Sequence, residues 1–235
     1  MKIAVINFSG NVGKSMVARH LLAPRIPDST VIAIESINAD EGANQHSEKM
    51  RGQQFGELQE RLLLEDNIVA DVGASNVETF VSMMSEFDGS HDDFDLFVIP
   101  VVQAEKQQRD TIQTILNLSL MGVPADKIRV VFNMVDRIDS DISRIFAPTF
   151  EFRAKSPTFV LRDSAVIYHS DVYKRCAEAG VSIDEILDDD MDYKQAIGEA
   201  SQKTEKRRLT QLLMLRRLAG RVKDELDTAF DAVIA

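Results

Sequence analysis

The residues whose types and spacing could do chemistry begin near the amino terminus, in the run Gly10-Asn11-Val12-Gly13-Lys14-Ser15. Small residues let successive backbone N–H groups converge on a phosphate, and a helix that begins at Lys14 points its positive end at the same anion. Lys14 adds a full charge for β- and γ-phosphates, and the Ser15 hydroxyl is placed to bind Mg²⁺. The strict phosphate-loop pattern begins with a Gly where this chain has Phe8, so we predict a variant loop; a turn that serves packing alone is the alternative.

A second candidate pair follows the apolar segment 67–71, which reads as a short strand. Asp71 ends this segment and Gly73 comes two residues later. In phosphate-loop proteins a carboxylate at this place holds the metal, usually through water, and the glycine N–H senses the γ-phosphate. We therefore predict that Ser15 and Asp71 hold Mg²⁺ and that Gly73 responds to the γ-phosphate.

Polar residues also follow two further predicted strands. Glu35 ends one strand and Asp40 lies in the loop after it, where a carboxylate could touch Mg²⁺ or the attacking water; solvated loop acids are the alternative. Asn133 and Asp136, three residues apart after another strand, have the spacing to hydrogen-bond a purine base. GTPases use Asn-Lys-x-Asp for guanine, and Met134 replaces that lysine. We assign Asn133 to base contact and leave the role of Asp136 open.

These candidates define one predicted site. Lys14, Asp71, Asp40 and Glu35 are its catalytic candidates. The predicted nucleotide-binding residues are Ser9, Gly10, Asn11, Val12, Gly13, Lys14, Ser15, Met16, Gly73 and Asn133.

Alternating apolar strands and amphipathic helices must position this site. The predicted strands are 2–7, 30–34, 67–71, 94–102, 128–132 and 157–161, and the predicted helices are 14–22, 47–64, 77–87, 107–121 and 171–179. Strands joined by helical crossovers form a parallel sheet covered on both faces, with the carboxyl ends of the strands at one edge. The predicted fold class is therefore α/β, a three-layer α/β/α phosphate-loop NTPase fold with a mostly parallel central sheet and C-terminal amphipathic helices.

Composition sets the outer limits. With 235 residues, 44% of them hydrophobic, the chain can form one large α/β domain or a domain with a helical appendage. We predict an NTPase domain at residues 1–187 and a helical extension at 188–235, packed on it or projecting from it. A single cysteine excludes an internal disulfide. No apolar run reaches the roughly 20 residues that span a bilayer, so we expect a cytoplasmic protein.

The C-terminal region has its own charge pattern. Residues 203–223 hold eight Lys or Arg and one Glu, a charge of +7 within a chain of net charge −11, so the remainder carries −18. On a helical projection, one side holds Lys203, Lys206, Arg207, Arg217 and Arg221, and the other holds Leu212, Leu215, Leu218, Val222 and Leu226. A packed helix with a solvated basic face, a DNA or partner-binding face, and a membrane-surface helix are the three interpretations; the membrane one is disfavoured because the helix lacks interfacial aromatic residues.

Several motifs together resemble a known family. The segments are 5–15, Asp71-Val72-Gly73, 97–100, Asn133 and 176–182, in the order found in ParA/MinD-type ATPases. The opening through Pro24 is particularly similar to the plasmid StbB-type stability proteins. The resemblance implies an ATP- and Mg²⁺-dependent switch: nucleotide-bound monomers form a homodimer, engage DNA, a DNA-bound plasmid protein, a membrane or another partner, and separate after hydrolysis.

Two departures from that family bear on hydrolysis. Ser9 stands where the family has a lysine that reaches the nucleotide of the partner subunit, and Asn11 stands where glycine is usual. Ile37 occupies the position of the water-positioning Asp, so Asp40 or Glu35 substitutes for it, or hydrolysis is very slow. We therefore expect a switch ATPase in plasmid stability, partition or DNA positioning. The alternatives are a non-hydrolysing adaptor between DNA-bound and transport or membrane partners, and a GTPase or small-molecule kinase of the same fold.

Overall fold

The structure, a computed structural model, describes residues 1–35, 47–50, 54–138 and 141–235. Seven strands form one sheet in the order β3-β2-β4-β1-β5-β6-β7. The strands are β1 (Lys2–Val5), β2 (Thr30–Ile34), β3 (Ser47–Met50), β4 (Ile68–Val72), β5 (Leu96–Val101), β6 (Ile128–Val135) and β7 (Val166–Tyr168). Every pair of neighbouring strands in it is parallel.

Helices connect the strands and cover the sheet. They are α1 (Lys14–Met16), α2 (Phe55–Leu64), α3 (Val77–Glu86), α4 (Glu105–Leu120), α5 (Ile142–Ile145), α6 (Ala147–Lys155), α7 (Val172–Ala179), α8 (Ile183–Asp188), α9 (Tyr193–Glu199) and α10 (Lys203–Ile234). The α1 turn continues as a π-helix, Val17–Leu22, and a 3₁₀ turn, Ala23–Arg25. The predicted three-layer α/β/α fold with a parallel sheet and C-terminal helices is confirmed.

Each face of the sheet carries its own apolar core. On one face the π-helix and α7 to α10 pack against β1, β4 and β5. On the other face α2 to α4, with Phe146 before α6, pack on alternate residues of the same strands. Because both faces are covered, β4 and β5 are buried along their whole length, which explains why both are apolar apart from Asp71.

The arrangement of β1 decides where the candidate site lies. Its neighbours are β4 and β5, with Val5 paired with Asp71 on β4 and with Val98 on β5. All carboxyl ends of a parallel sheet meet at one edge, so the loop after β1 lies beside Asp71.

Two predicted elements differ from the structure. The helix predicted over 47–64 is instead a strand, β3, followed by a helix that begins at Phe55, because the short polar segment pairs with the edge of β2. The strand predicted over 157–161 contributes only an isolated bridge between Arg129 and Val160, and β7 supplies the last strand. Segment 157–161 and β7 are both short and apolar, so the sequence does not distinguish them. In the structure only β7 continues the sheet beyond β6.

The long helix α10 is packed along the domain. Its 32 residues bury Leu215, Val222 and Leu226 in the core that also contains β1 and β5. Leu212 is half-buried, and Leu218, predicted on the apolar side, is 41% exposed because it lies at the margin of that face. The division between residues 1–187 and 188–235 stays a prediction. No helix among the described residues is long and apolar enough to cross a membrane.

Candidate nucleotide-binding site

The loop between β1 and α1, which we predict to bind phosphate, has an unusual backbone. Asn11 and Gly13 both adopt left-handed conformations, with φ of 57° and 81°. Asparagine tolerates this region better than other non-glycine residues, which explains how Asn11 can stand where glycine is usual. The helix starts at once after the loop, since the N–H of Val17 donates to the Gly13 carbonyl at 2.9 Å. Residues Ser9 to Met16 thus form one turn that opens into a helix N-terminus.

Lys14 is held inside this loop by backbone carbonyls. Its Nζ donates to Ser9 O at 2.7 Å and to Asn7 O at 3.0 Å, and the residue is only 7% exposed. Burial lowers the pKa of Lys14 to about 8, while the nearby Asp71 carboxylate acts in the opposite direction. Lys14 is therefore a buried cation whose present partners are weak acceptors compared with a phosphate.

Asp71 lies beside Lys14 at the end of β4 and is 4% exposed. Burial raises the pKa of its carboxyl, opposed by a hydrogen bond with Ser15 and by the charges of Arg19 and Lys14. Its Oδ1 has no hydrogen-bond partner among the described residues. A buried carboxylate oxygen without a partner next to a serine hydroxyl suits a hard cation, so Ser15 and Asp71 fit Mg²⁺.

The two acids predicted near the metal have different outcomes. Glu35, directly after β2, lies close enough to Asp71 for its charge to raise the pKa of that carboxyl. Glu35 therefore belongs to the same edge of the sheet. Asp40 and Ile37 lie outside the described residues. The catalytic roles of Glu35 and Asp40 stay predictions.

Gly73 joins the end of β4 to the end of β2. Its N–H donates to Ile34 O at 2.9 Å, and a Cβ added at Gly73 would lie 2.9 Å from the same oxygen. The side chain of Asn76 also reaches Ile34 O, at 3.4 Å. A response of Gly73 to a γ-phosphate stays a prediction, and it requires the N–H to exchange the carbonyl for the phosphate.

Asn133 braces the loop. The residue is fully buried; its Nδ2 donates to Val12 O at 2.8 Å, and its Oδ1 accepts from the N–H of Met134 at 2.9 Å. A Cβ at Gly13 would lie 2.2 Å from Asn133 Nδ2, so the amide fills the space that the glycine leaves. Contact between Asn133 and a purine base stays a prediction, and in this conformation both ends of the amide are occupied.

A cavity of about 290 Å³ opens beside this brace at the carboxyl ends of β5, β6 and β7. Its lining is Gln103, Met134, Asp136, Arg137 and His169. Met134 connects it to the loop, because its Cε lies 3.3 Å from a Cβ placed at Gly13. Sequence reasoning missed Gln103 and His169. Both residues come directly after a strand, and this position could have identified them. For His169 it could not be recognised, because the last strand was predicted at 157–161 and not at β7.

The basic residues of α10 lie on an element separate from the loop. Lys203, Lys206, Arg207, Arg217 and Arg221 are all exposed on this one helix, as the helical projection predicts. Arg221 donates to Glu225 at 3.0 Å, and Glu225 also pairs with Arg137 after β6. The structure therefore brings the five together on one helix face, with Arg221 already engaged in an ion pair.

The fold has counterparts among solved structures. Apo McdA from Cyanothece aligns with a TM-score of 0.51 and 13% identity over 90% of this chain and 98% of its own. MinD from Pyrococcus furiosus, a cell division ATPase, aligns at 0.51 and 14% over 92% and 98%. MinD from Pyrococcus horikoshii, solved with Mg-ADP, aligns at 0.50 and 13% over 94% and 97%.

No family model and no curated protein matches the sequence of this chain. The fold that the resemblance to ParA/MinD-type proteins implies is thus confirmed by structure. Membership of that family and the narrower resemblance to StbB-type proteins stay predictions. The chain has the fold that McdA shares with the MinD cell division ATPases.

Proposed function

We propose that the protein is a nucleotide-dependent switch ATPase that binds ATP with Mg²⁺ at the loop after β1. The observation that carries the proposal is the cluster of Lys14, Ser15 and Asp71: a buried lysine on loop carbonyls, a helix N-terminus, and a buried carboxylate with an unpartnered oxygen. Each feature suits one part of a metal-bound triphosphate. MinD from P. horikoshii, which shares the fold, was solved with Mg-ADP.

Each residue of the cluster has a separate role in binding. Lys14 exchanges its bonds to Asn7 O and Ser9 O for the β- and γ-phosphates, and the charge it brings there stabilises the transferring phosphoryl group. Ser15 and Asp71 would hold Mg²⁺, which would neutralise phosphate charge. The cavity beside Met134 receives the base.

The switch lies at Gly73. Its N–H is bonded to Ile34 O, one residue before Glu35. A γ-phosphate that takes over this N–H releases the end of β2 from the end of β4, whereas a diphosphate leaves the bond in place. ATP and ADP thereby stabilise different arrangements of the ends of β2 and β4. In the nucleotide-bound state the protein forms a homodimer and binds its partners.

DNA or a DNA-bound plasmid protein is the partner that best suits α10. Residues 201–208 are all exposed, so the first turns of this helix carry Lys203, Lys206 and Arg207 into solvent. No ion pair within the described part of the chain involves these three side chains, which leaves them available to phosphates. We accordingly propose a role in plasmid stability, partition or DNA positioning.

One observation favours a second candidate, an adaptor that binds nucleotide without turnover. Ser9 is 5% exposed, and its N–H donates to Asn7 Oδ1 at 2.8 Å. A buried serine supplies no charge to the nucleotide of a second subunit. Steady-state phosphate release with and without DNA separates the two functions: release stimulated well above a Lys14→Ala control excludes the adaptor.

Sedimentation velocity tests the switch. We expect the wild type to sediment as a dimer with ATP and Mg²⁺ and as a monomer with ADP or without nucleotide. Lys14→Ala should remain monomeric throughout, whereas Lys155→Ala, at an exposed site on α6, should behave as the wild type. Sedimentation of the wild type that does not depend on the nucleotide would contradict the switch.

A further inference from the structure

A groove separates the carboxyl end of α7 from the amino-terminal half of α10. It has a volume of about 400 Å³. Leu212 and Leu215 line it from α10, and Ala179 from α7. Leu215 is 2% exposed and forms the floor, while Leu212 is half-buried. The groove thus has helices for its two walls and an apolar strip, formed by Ala179, Leu212 and Leu215, among polar and charged lining residues.

The rim of this groove is cationic. Arg175 on α7 and Arg208 on α10 both line it and are both exposed. Within the described ranges neither guanidinium forms an ion pair with a carboxylate. The acid in the lining, Glu178, is 3.8 Å from Lys174 Nζ. The groove therefore offers two guanidinium groups that pair with no carboxylate among the described residues, beside the apolar strip, and one acid that is paired with Lys174.

The molecule already packs an acidic helix against α10 further along. The short helix α8 buries Ile183 and Ile186 in the core shared with α10. Asp184 on α8 lies 3.9 Å from Lys223 on α10. This contact combines apolar residues on one face of an acidic helix with basic residues of α10. The groove repeats that combination at the amino-terminal half of α10.

We propose that this groove binds an acidic amphipathic helix of a partner protein. Aliphatic side chains of that helix enter between α7 and α10, and its carboxylates pair with Arg175 and Arg208. The basic outer face of α10, with Lys203 and Arg217, is a separate surface. The groove is also built from residues other than those of the nucleotide loop, so the proposal does not depend on nucleotide binding.

A synthetic peptide tests the groove in the full-length protein. The probe is a fluorescein-labelled peptide of about 16 residues, with leucines at helical spacing and glutamates elsewhere, followed by fluorescence anisotropy. We expect saturable binding to the wild type and at least about tenfold weaker binding to an Arg175→Glu, Arg208→Glu double variant. Lys203→Glu, Arg217→Glu makes the same charge change on the outer face and should alter binding less than about threefold.

Further arms distinguish the groove from a general polyanion site. A peptide with glutamine in place of every glutamate should bind at least about tenfold more weakly. The Leu212→Gln substitution in the protein should weaken binding of the acidic peptide. The proposal is overturned if the wild type does not bind the acidic peptide, or if both double variants lose peptide binding equally. It is also overturned if the binding of duplex DNA or anionic vesicles requires Arg175 and Arg208 while the binding of the peptide does not. Binding of fluorescent ATP by each variant reports separately on the nucleotide site.

Discussion

The contact between Gly13 and Asn133 predicts two substitutions whose effects do not add. A Cβ at Gly13 would lie 2.2 Å from Asn133 Nδ2, at a backbone φ of 81°. The left-handed backbone alone costs an alanine about 1 kcal/mol. Displacement of Asn133 breaks its bond to Val12 O and leaves a buried carbonyl unpaired, at a further cost of about 2 kcal/mol. Gly13→Ala should therefore lower the free energy of unfolding by about 3 kcal/mol.

The second substitution removes the obstacle. Asn133→Ala loses the bond to Val12 O and should cost about 2 kcal/mol by itself. In that background Gly13→Ala meets no amide and should cost only the backbone contribution of about 1 kcal/mol. The double variant is then about 2 kcal/mol more stable than the sum of the single effects predicts.

Urea unfolding followed by far-ultraviolet circular dichroism measures all four proteins. The matched control is Gly180→Ala, because Gly180 also has a positive φ, 68°, and a Cβ there meets nothing within 4 Å. This control should cost about 1 kcal/mol and add to Asn133→Ala without coupling. Equal costs for Gly13→Ala and Gly180→Ala, or additive effects of Gly13→Ala and Asn133→Ala, would refute the brace.

Three further predictions follow from the site and its surroundings. Because burial lowers the pKa of Lys14 to about 8 from 10.5, the unfolded chain binds more protons between these values, and stability of the nucleotide-free wild type should rise with pH there. Relative to Lys14→Met the gain should be about 2 kcal/mol between pH 7 and 9.5; parallel urea midpoints would disprove it. Gly73→Ala should lower the melting temperature, since its Cβ would lie 2.9 Å from Ile34 O. Glu225→Gln, which removes the carboxylate partner of Arg137 and Arg221, should also lower the melting temperature, and by less in 1 M salt. A decrease in melting temperature that is the same at low and high salt would argue against an ionic cause.

Much of the fold was readable from sequence because local and tertiary preferences agree in the central strands. Apart from Asp71, β4 and β5 are apolar since both faces are buried, and the loop predicted to bind phosphate joins a strand to a helix. Prediction failed at the edges. β3 is a short polar segment whose pattern suits an amphipathic helix, and its strand state comes from pairing with β2. β7 has only three residues, too few for a periodic signal.

The sequence predicts individual residues of the candidate site but not the contacts between distant parts of the chain. The sequence pattern predicts roles for Lys14, Ser15 and Asp71, because phosphate and metal chemistry restricts residue type and spacing, and the structure places the three side by side. It does not indicate that Asn133 is buried against Val12, because that contact joins residues 121 positions apart. Nor does it reveal the positive φ of 57° at Met134, a backbone state that the surrounding strands and loop impose.

Binding of ATP in the presence of Mg²⁺, measured by isothermal titration calorimetry, tests the central claim most directly. The wild type and Lys155→Ala should bind alike, and Lys14→Ala, with its fold verified by circular dichroism, should bind at least about a hundredfold more weakly because the phosphates lose their buried cation. Negligible binding by the wild type, or equal affinity in the wild type and Lys14→Ala, would contradict the assignment of this loop to a nucleotide.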